Sequence, residues 1–189
     1  MLMEPNPDAL PINTLGTTLS VRDGDGGGAV VEWKAAFYAR HETLATITVG
    51  TAPFGVTVDA SSKRAFVANV QSSDVSVVDL STFTVTGTFA VGSFPYAIAH
   101  VADSDRLFVT NQHDNTVSVI DLPSGQTLRT VTVGDYPEGI MLHPDGRHVY
   151  VVSWFDGEVY LIDTATLEVT GHVKSGNGSR GFGDFIAPR

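Results

Sequence analysis

The sequence VGTAPFG at residues 49–55 recurs as VGSFPYA at residues 91–97 and as VGDYPEG at residues 133–139. Each copy begins 42 residues after the one before it, and no insertion interrupts the spacing. A second motif keeps the same interval, with FVAN, FVTN and YVVS beginning at Phe66, Phe108 and Tyr150. Self-similarity at a fixed period indicates one structural unit per repeat, so the repeat decides the architecture of the chain.

Each unit contains four short apolar runs separated by turn-forming residues, a composition typical of a small antiparallel sheet. In the second unit this pattern predicts strands at residues 97–101, 106–111, 116–121 and 126–133, which are rich in Val, Ile, Phe and Thr. The third of these strands does not alternate, because Val117, Val119 and Ile120 place apolar groups on both faces. Both faces of the sheet must therefore be covered, as they are when similar sheets stack around an axis.

These features predict an all-β fold, a β-propeller built from four-stranded antiparallel blades. The repeat places complete blades at about residues 50–91, 92–133 and 134–175 of a propeller domain that spans residues 29–189. A partial blade is expected from an N-terminal outer strand at residues 44–49 and a terminal inner strand within residues 176–189. Residues 29–43 fit either a strand or a helix. Residues 1–28, rich in Pro and Gly, are expected to form a flexible leader.

The repeat resembles the unit of the YVTN family of β-propeller repeat proteins over about two-thirds of the chain. The matching elements are the V-G-x-x-P segments, the FVAN, FVTN and YVVS segments, and VSVVD, VSVID and VYLID ending at Asp79, Asp121 and Asp163. The resemblance implies a periplasmic, secreted or cell-surface propeller. Residues 1–23 lack the basic start and apolar core of a secretory signal peptide.

Propellers of the resembled family usually have about seven blades, which is more than three units and two fragments provide. Three interpretations stay open. The terminal segments could complete a fourth blade and close a small ring, two copies could form one larger ring as a homodimer, or the chain is part of a longer parent chain.

Composition excludes several classes of function. The chain has 11 basic and 21 acidic residues, a net charge of −10, which argues against a nucleic-acid partner. No apolar stretch approaches the length of a membrane span. Cysteine is absent, so thiolate metal sites and cysteine nucleophiles are excluded. The six histidines show no ligand spacing, and we predict neither a metal nor a cofactor.

The recurring polar residues of the repeat are interpreted as structural. Asp79, Asp121 and Asp163 end the third strand of each unit, where a carboxylate can accept backbone N–H bonds and fix the turn. Asn69 and Asn111 are expected to act similarly after the second strand. His100 replaces an aliphatic residue on an inner strand and is interpreted as a buried, hydrogen-bonded histidine.

Residues that vary between units point to a binding face. The loop entering the inner strand and the loop joining the second and third strands share one face of a propeller blade, and repeat scaffolds carry binding on such loops. Aromatic rings mixed with a few charges suit a protein, a peptide or a glycan. The candidate ligand-binding residues are Phe54, Phe94, Tyr96, His113, Asp114, Tyr136, Glu138, Trp154, Phe155 and Arg180.

Two classes of function follow. The first is a non-enzymatic extracytoplasmic scaffold that binds a partner through this face, with no catalytic residues. The alternative is a lactonase-like hydrolase, or an accessory module of a quinone- or haem-linked dehydrogenase, because the family resemblance extends to such propellers. A lactonase would need Glu138, His113 and Arg180 to converge at the channel mouth.

Overall fold

A computed structural model describes residues 16–23, 29–37, 40–59 and 61–181, with side chains from residue 45 onward. Its fold consists of one three-stranded and three four-stranded antiparallel sheets. The strands are β1 (Gly16–Asp23), β2 (Ala29–Phe37), β3 (Arg40–Val49), β4 (Pro53–Asp59), β5 (Arg64–Asn69), β6 (Asp74–Asp79), β7 (Thr84–Ala90), β8 (Pro95–Val101), β9 (Arg106–Asn111), β10 (Thr116–Asp121), β11 (Gln126–Thr132), β12 (Pro137–Leu142), β13 (His148–Ser153), β14 (Glu158–Asp163) and β15 (Val169–Lys174).

Each four-stranded sheet is one repeat unit, and its strands pair in chain order from inner to outer. We call β4–β7 the first blade, β8–β11 the second blade, β12–β15 the third blade and β1–β3 the N-terminal sheet. The inner strands β4, β8 and β12 lie side by side. The predicted all-β fold with four-stranded antiparallel blades is confirmed, and the strands predicted in the second unit agree with β8–β11 to within two residues.

The N-terminal part of the chain differs from the sequence-based expectation. The segment 29–43, which fitted a strand or a helix, contributes to strands β2 and β3. Strand β1 occupies residues that were expected to belong to a flexible leader, and it pairs along its whole length with β2. Its sequence GTTLSVRD holds the β-favouring residues Thr and Val, whose signal the nearby Pro and Gly obscured. The rest of the expected leader and the predicted terminal inner strand beyond residue 181 lie outside the described residues.

The hydrophobic core consists of layers between neighbouring sheets. In β5, Phe66 and Ala68 pack against the second blade, whereas Ala65 and Val67 pack in the cluster that includes Ile47 of the N-terminal sheet. The alternation of a strand thus buries both of its faces, each against a different neighbour. A further layer joins the second and third blades around Phe108, Val117, Val119, Val149 and Ile162. Full burial of each such side chain stabilises the fold by about 1.5–3 kcal/mol.

The glycine of the V-G motif sits where the blade leaves no room for a side chain. A Cβ atom at Gly92 would lie 2.6 Å from Cγ of Asn111 and 2.6 Å from Oδ2 of Asp114. Asn111 is buried, accepts a hydrogen bond from the Gly92 N–H and donates to Thr116 and Ser118. A Cβ at Gly50 or Gly134 would meet side chains in the same way. The motif therefore follows from packing between two loops of one blade.

A charged cluster joins the first two blades at the end of the inner strands opposite the V-G motif. The guanidinium of Arg64 donates two hydrogen bonds to the carboxylate of Asp105, at 2.6 and 3.2 Å. His100 is buried, with Nε2 3.0 Å from Oδ1 of Asp105 and Nδ1 3.5 Å from Oδ2 of Asp59. The bond from Arg64, with a further contribution from His100, holds the pKa of Asp105 below its usual value. This is the buried, partnered histidine that the sequence suggested.

No helix in the described part of the chain is long and apolar enough to cross a membrane.

Replacing Gly92 with Ala is expected to lower the free energy of unfolding by about 1–3 kcal/mol, because the added methyl group displaces the buried Asn111 amide from its partners. Urea unfolding at neutral pH measures this loss. The matched control is Gly171→Ala in β15, where a Cβ would meet nothing within 4 Å. Equal stability of the two variants would contradict the packing role of the V-G glycine.

Candidate functional site: the channel mouth and the aromatic ridge

Backbone hydrogen bonds hold the two variable loops of each blade together. In the second blade, Gln112 N–H donates to the carbonyl of Phe94 (2.9 Å) and His113 N–H donates to that of Ser93 (3.3 Å). The third blade repeats this pair with Trp154 to Tyr136 (3.0 Å) and Phe155 to Asp135 (3.3 Å). The two loop sets predicted to share one face are therefore tied into one surface in each blade.

Residues Ala52, Phe94 and Tyr136, which lie 42 positions apart, adopt left-handed backbone conformations with φ of 51°, 56° and 57°. The conformation thus belongs to the repeated loop and not to one blade. It turns the chain sharply ahead of the inner strand. In two of the three loops the residue at this turn carries an aromatic ring.

Five rings form a continuous aromatic ridge across the second and third blades. Phe94 stacks on His113 at 3.8 Å between ring centroids, and Tyr136 lies 4.6 Å from Phe155. These two pairs are related by the 42-residue repeat. His113 bridges them at 5.5 Å from Tyr136, and Trp154 extends the ridge by stacking on Phe155 at 4.6 Å. We call Phe94, His113, Tyr136, Phe155 and Trp154 the aromatic ridge.

A second set of repeat-related residues surrounds the inner strands at the same end. It contains Phe54, Tyr96, Glu138 and Arg180, one residue from each successive repeat, and we call it the mouth series. Successive members touch in two places, since Phe54 stacks on Tyr96 at 4.2 Å and Oε2 of Glu138 lies 3.3 Å from Nε of Arg180. The series therefore changes from an aromatic pair to an ion pair.

A cavity of about 420 Å³ runs below the mouth series along the inner strands. Its walls come from β4, β8 and β12 and include Phe54, Tyr96, His100, Met141 and Leu142, together with Gly181. Gly181 lies directly against Gly139, as Ala97 and Tyr96 lie against Gly55. This contact between neighbouring repeats therefore recurs at the 42-residue interval as far as Gly181.

Glu138 is the most unusual member of the mouth series because its carboxylate is buried, with only 3% of the side chain exposed. Gln112 Nε2 donates to Oε1 at 3.0 Å, whereas Oε2 accepts no hydrogen bond from any described residue. Burial raises the pKa of Glu138 above its usual value, although Arg180 and Gln112 act in the opposite direction. Burial, and then the charge of Glu138, raises the pKa of the neighbouring Tyr96.

Arg180 connects the mouth series to the aromatic ridge. Its guanidinium carbon lies 4.1 Å from the centre of the Trp154 ring, a cation–π geometry, while its Nε faces Glu138. The pair Trp154 and Arg180 occupies the repeat positions of Gln112 and Glu138. All the predicted ligand-binding residues except Asp114 therefore lie in the ridge or the mouth series. Asp114 accepts the Ser93 N–H at 2.6 Å and fixes the loop.

Sequence reasoning did not single out Gln112, which is buried and holds Glu138 in place. Its position is occupied by Val70 and Trp154 in the other two repeats. A polar residue at a repeat position that is otherwise apolar was the signal that could have identified it.

The groups named for a lactonase do not all converge. Glu138 and Arg180 form the ion pair, whereas His113 packs between Phe94 and Tyr136 in the ridge. Among the residues that the structure describes, no three His, Asp or Glu side chains are placed to hold a metal ion.

The recurring polar residues are the last residues of strands. Asp79 accepts the N–H groups of Ser81 and Thr82 at 2.7 and 3.0 Å, and Asp163 accepts those of Ala165 and Thr166 at 2.9 and 2.7 Å. Asp121 accepts the N–H of Ser124 at 3.0 Å. Asn69 is buried and, like Asn111, donates its amide within its own blade, to Asp74 and Ser76. The hydrogen bonds of these groups hold turns and strands within their own blades.

Known structures share this fold. Hydrazine synthase from Kuenenia stuttgartiensis aligns over 67% of the chain with 32% identity and a TM-score of 0.64. A protein from Lactobacillus plantarum aligns over 89% with 19% identity and a TM-score of 0.74. The chain spans 36% of the first protein and 55% of the second. No protein-family model and no curated protein matches the chain, so the YVTN resemblance stays a prediction. The comparisons support a propeller-type fold.

At pH 7, the free energy of unfolding of Glu138→Gln is expected to equal or exceed that of the unaltered protein. The raised folded-state pKa means that ionising the buried carboxylate costs stability, and this cost appears as the pH rises from the unfolded value near 4.5 through the folded value. Urea unfolding at pH 7 and near pH 4 measures the difference, which should be smaller at the lower pH. A large loss of stability at pH 7 would contradict this prediction and show that the Glu138–Arg180 ion pair stabilises the fold.

Proposed function

We propose that this protein is a non-enzymatic propeller scaffold that binds a partner polypeptide, a protein or a peptide, through the aromatic ridge and the mouth series. The observation that carries the proposal is the continuous ridge, in which His113 and Phe155 are exposed and the other three rings are half-buried. Phe155 has 59% of its surface exposed although it occupies a tight turn, where a blade needs no large apolar group. A contiguous apolar patch marks an interaction site, and Phe155 belongs to such a patch because it lies against Tyr136 and Trp154.

The composition of the face favours a polypeptide over a glycan. Protein interfaces are enriched in Trp, Tyr, Phe and Arg at their centres, and these residues supply most of the binding free energy. The ridge and the mouth series combine the same types, since Arg180 lies over Trp154, which in turn contacts Tyr136 and Phe155. Phe94 and His113 already cover each other's faces with a nearly parallel stack, which leaves fewer flat ring faces for a sugar.

The scaffold positions this face rigidly. The loops are fixed by backbone hydrogen bonds, and the blades beneath them pack on one another through apolar layers. Prior ordering of a binding surface reduces the entropy lost on association. A location outside the cytoplasm, as in the resembled family, belongs to the proposal and rests on that resemblance alone.

Selection from a random peptide display library on the purified protein tests the proposal. Enriched peptides are expected to bind Phe155→Ala at least about tenfold more weakly, because truncating a central aromatic residue typically costs more than about 1.4 kcal/mol. The control is Leu128→Ala, which removes a comparably exposed apolar side chain from the outer strand β11.

Peptides that bind Phe155→Ala and Leu128→Ala equally well would place binding away from the ridge and contradict the proposal. Absence of enrichment, together with binding of an arrayed glycan that depends on Phe155, would replace the polypeptide by a glycan.

A further inference from the structure

Among the described residues, Arg64, Arg129 and Arg180 contact a carboxylate across a blade boundary, and the contacts of Arg64 and Arg180 differ in geometry. Arg64 grips Asp105 with both terminal nitrogens, at 2.6 and 3.2 Å, and its side chain is 25% exposed. This fork is the geometry of a strong arginine–carboxylate pair. The contact between Arg180 and Glu138 joins Nε to Oε2 at 3.3 Å without forming a hydrogen bond, and the side chain of Arg180 is 45% exposed. Arg180 therefore holds its carboxylate less firmly than Arg64 does.

The carboxylate that Arg180 contacts is left incomplete. Oε2 of Glu138 is inaccessible to solvent and accepts no hydrogen bond from a described residue, whereas Oε1 is held by Gln112. A buried carboxylate oxygen without a donor costs free energy that a better placed donor would recover. The orientation of Glu138 is nevertheless fixed, so the pocket is formed before any ligand arrives.

The wall of this pocket is the indole of Trp154, over which the Arg180 guanidinium lies at 4.1 Å. A site made of an indole face and a buried carboxylate suits a guanidinium group, because this planar cation can stack on the ring and bind the carboxylate at the same time. Trp154 also belongs to the aromatic ridge, so a partner lying on the ridge passes directly over this pocket.

We propose that Glu138, Gln112 and Trp154 form a binding pocket for the guanidinium group of an arginine side chain on the partner polypeptide, and that Arg180 occupies this pocket as an internal ligand until the partner displaces it. This inference deepens the proposed function and rests on it. It assigns to Arg180 the role of a competitor, so removing Arg180 should strengthen binding of an arginine ligand.

The test uses N-acetyl-arginine amide as the probe and its uncharged citrulline analogue as the matched control ligand. Binding is followed by the NMR signal of the Trp154 indole N–H, in a Trp33→Phe background that leaves Trp154 as the only tryptophan. Arg180→Gln is expected to bind the arginine probe at least about tenfold more tightly than the unaltered protein, because the competing internal group is gone. The citrulline analogue should bind neither protein.

Two variants separate the pocket from general effects. Arg129→Gln removes a similarly exposed arginine, 46% against 45%, from a surface ion pair with Glu168, and it should leave probe affinity unchanged. Adding Glu138→Gln to Arg180→Gln should reverse the gain in affinity, because the carboxylate is lost. Thermal unfolding of each variant confirms that it is folded. If Arg180→Gln does not fold, the comparison is made between the unaltered protein and Glu138→Gln at high probe concentration, where only the unaltered protein should show saturable binding.

The proposal is overturned if Arg180→Gln binds the probe no more tightly than the unaltered protein, or if loss of Glu138 leaves the affinity unchanged. In the fallback comparison, equal binding to both proteins or to neither also overturns it. These results are distinct from failure of the proposed function, because Phe155-dependent peptide binding is measured separately. If peptides bind the ridge without selectivity for arginine, the proposed arginine pocket is rejected and the proposed scaffold function is retained.

Discussion

The fold depends on one constraint, the burial of both faces of the middle strands in the first and second blades. Phe66 and Ala68 in β5 face one neighbour and Ala65 and Val67 face the other, so the first blade cannot bury these side chains by itself. Stacking of similar sheets satisfies this demand repeatedly with the same contacts. Because each contact recurs after 42 residues, residues that are 42 positions apart in the sequence occupy equivalent positions in neighbouring blades.

The candidate site follows from the same interval. Residues at one repeat position meet the residue one repeat further on, which brings Phe54 to Tyr96 and Glu138 to Arg180. The repeat scaffold thus fixes where side chains lie, while their chemical identity can vary between blades. This variation placed a buried carboxylate and an indole of the third blade next to an arginine that follows that blade in the chain. Burial of Glu138 costs stability that the core must supply, as is common for groups kept for binding.

Sequence reasoning predicted the blades well, because strands such as β9 and β10 carry dense β-branched and aromatic residues between clear turns. It failed for β1, where the strand is short of bulky residues and lies between Pro-rich and Gly-rich segments. It named Glu138, Arg180 and Trp154 but did not predict that they meet. That contact depends on side-chain direction and on the distance between blades, and neither can be obtained from spacing along the chain. Gln112 was missed because an isolated polar residue carries no chemistry until its partner is known.

The central claim, that residues 42 positions apart become neighbours at the channel mouth, can be tested directly by thiol cross-linking, since the chain has no cysteine of its own. Phe54→Cys combined with Tyr96→Cys should react rapidly with a short bismaleimide. Val85→Cys combined with Tyr96→Cys is the control, because Val85 is nearer to Tyr96 in sequence but lies on the outer strand β7, three strands or about 14 Å from β4. The account predicts fast intramolecular cross-linking of the first pair and little of the second. Equal rates, or faster reaction of the second pair, would contradict it.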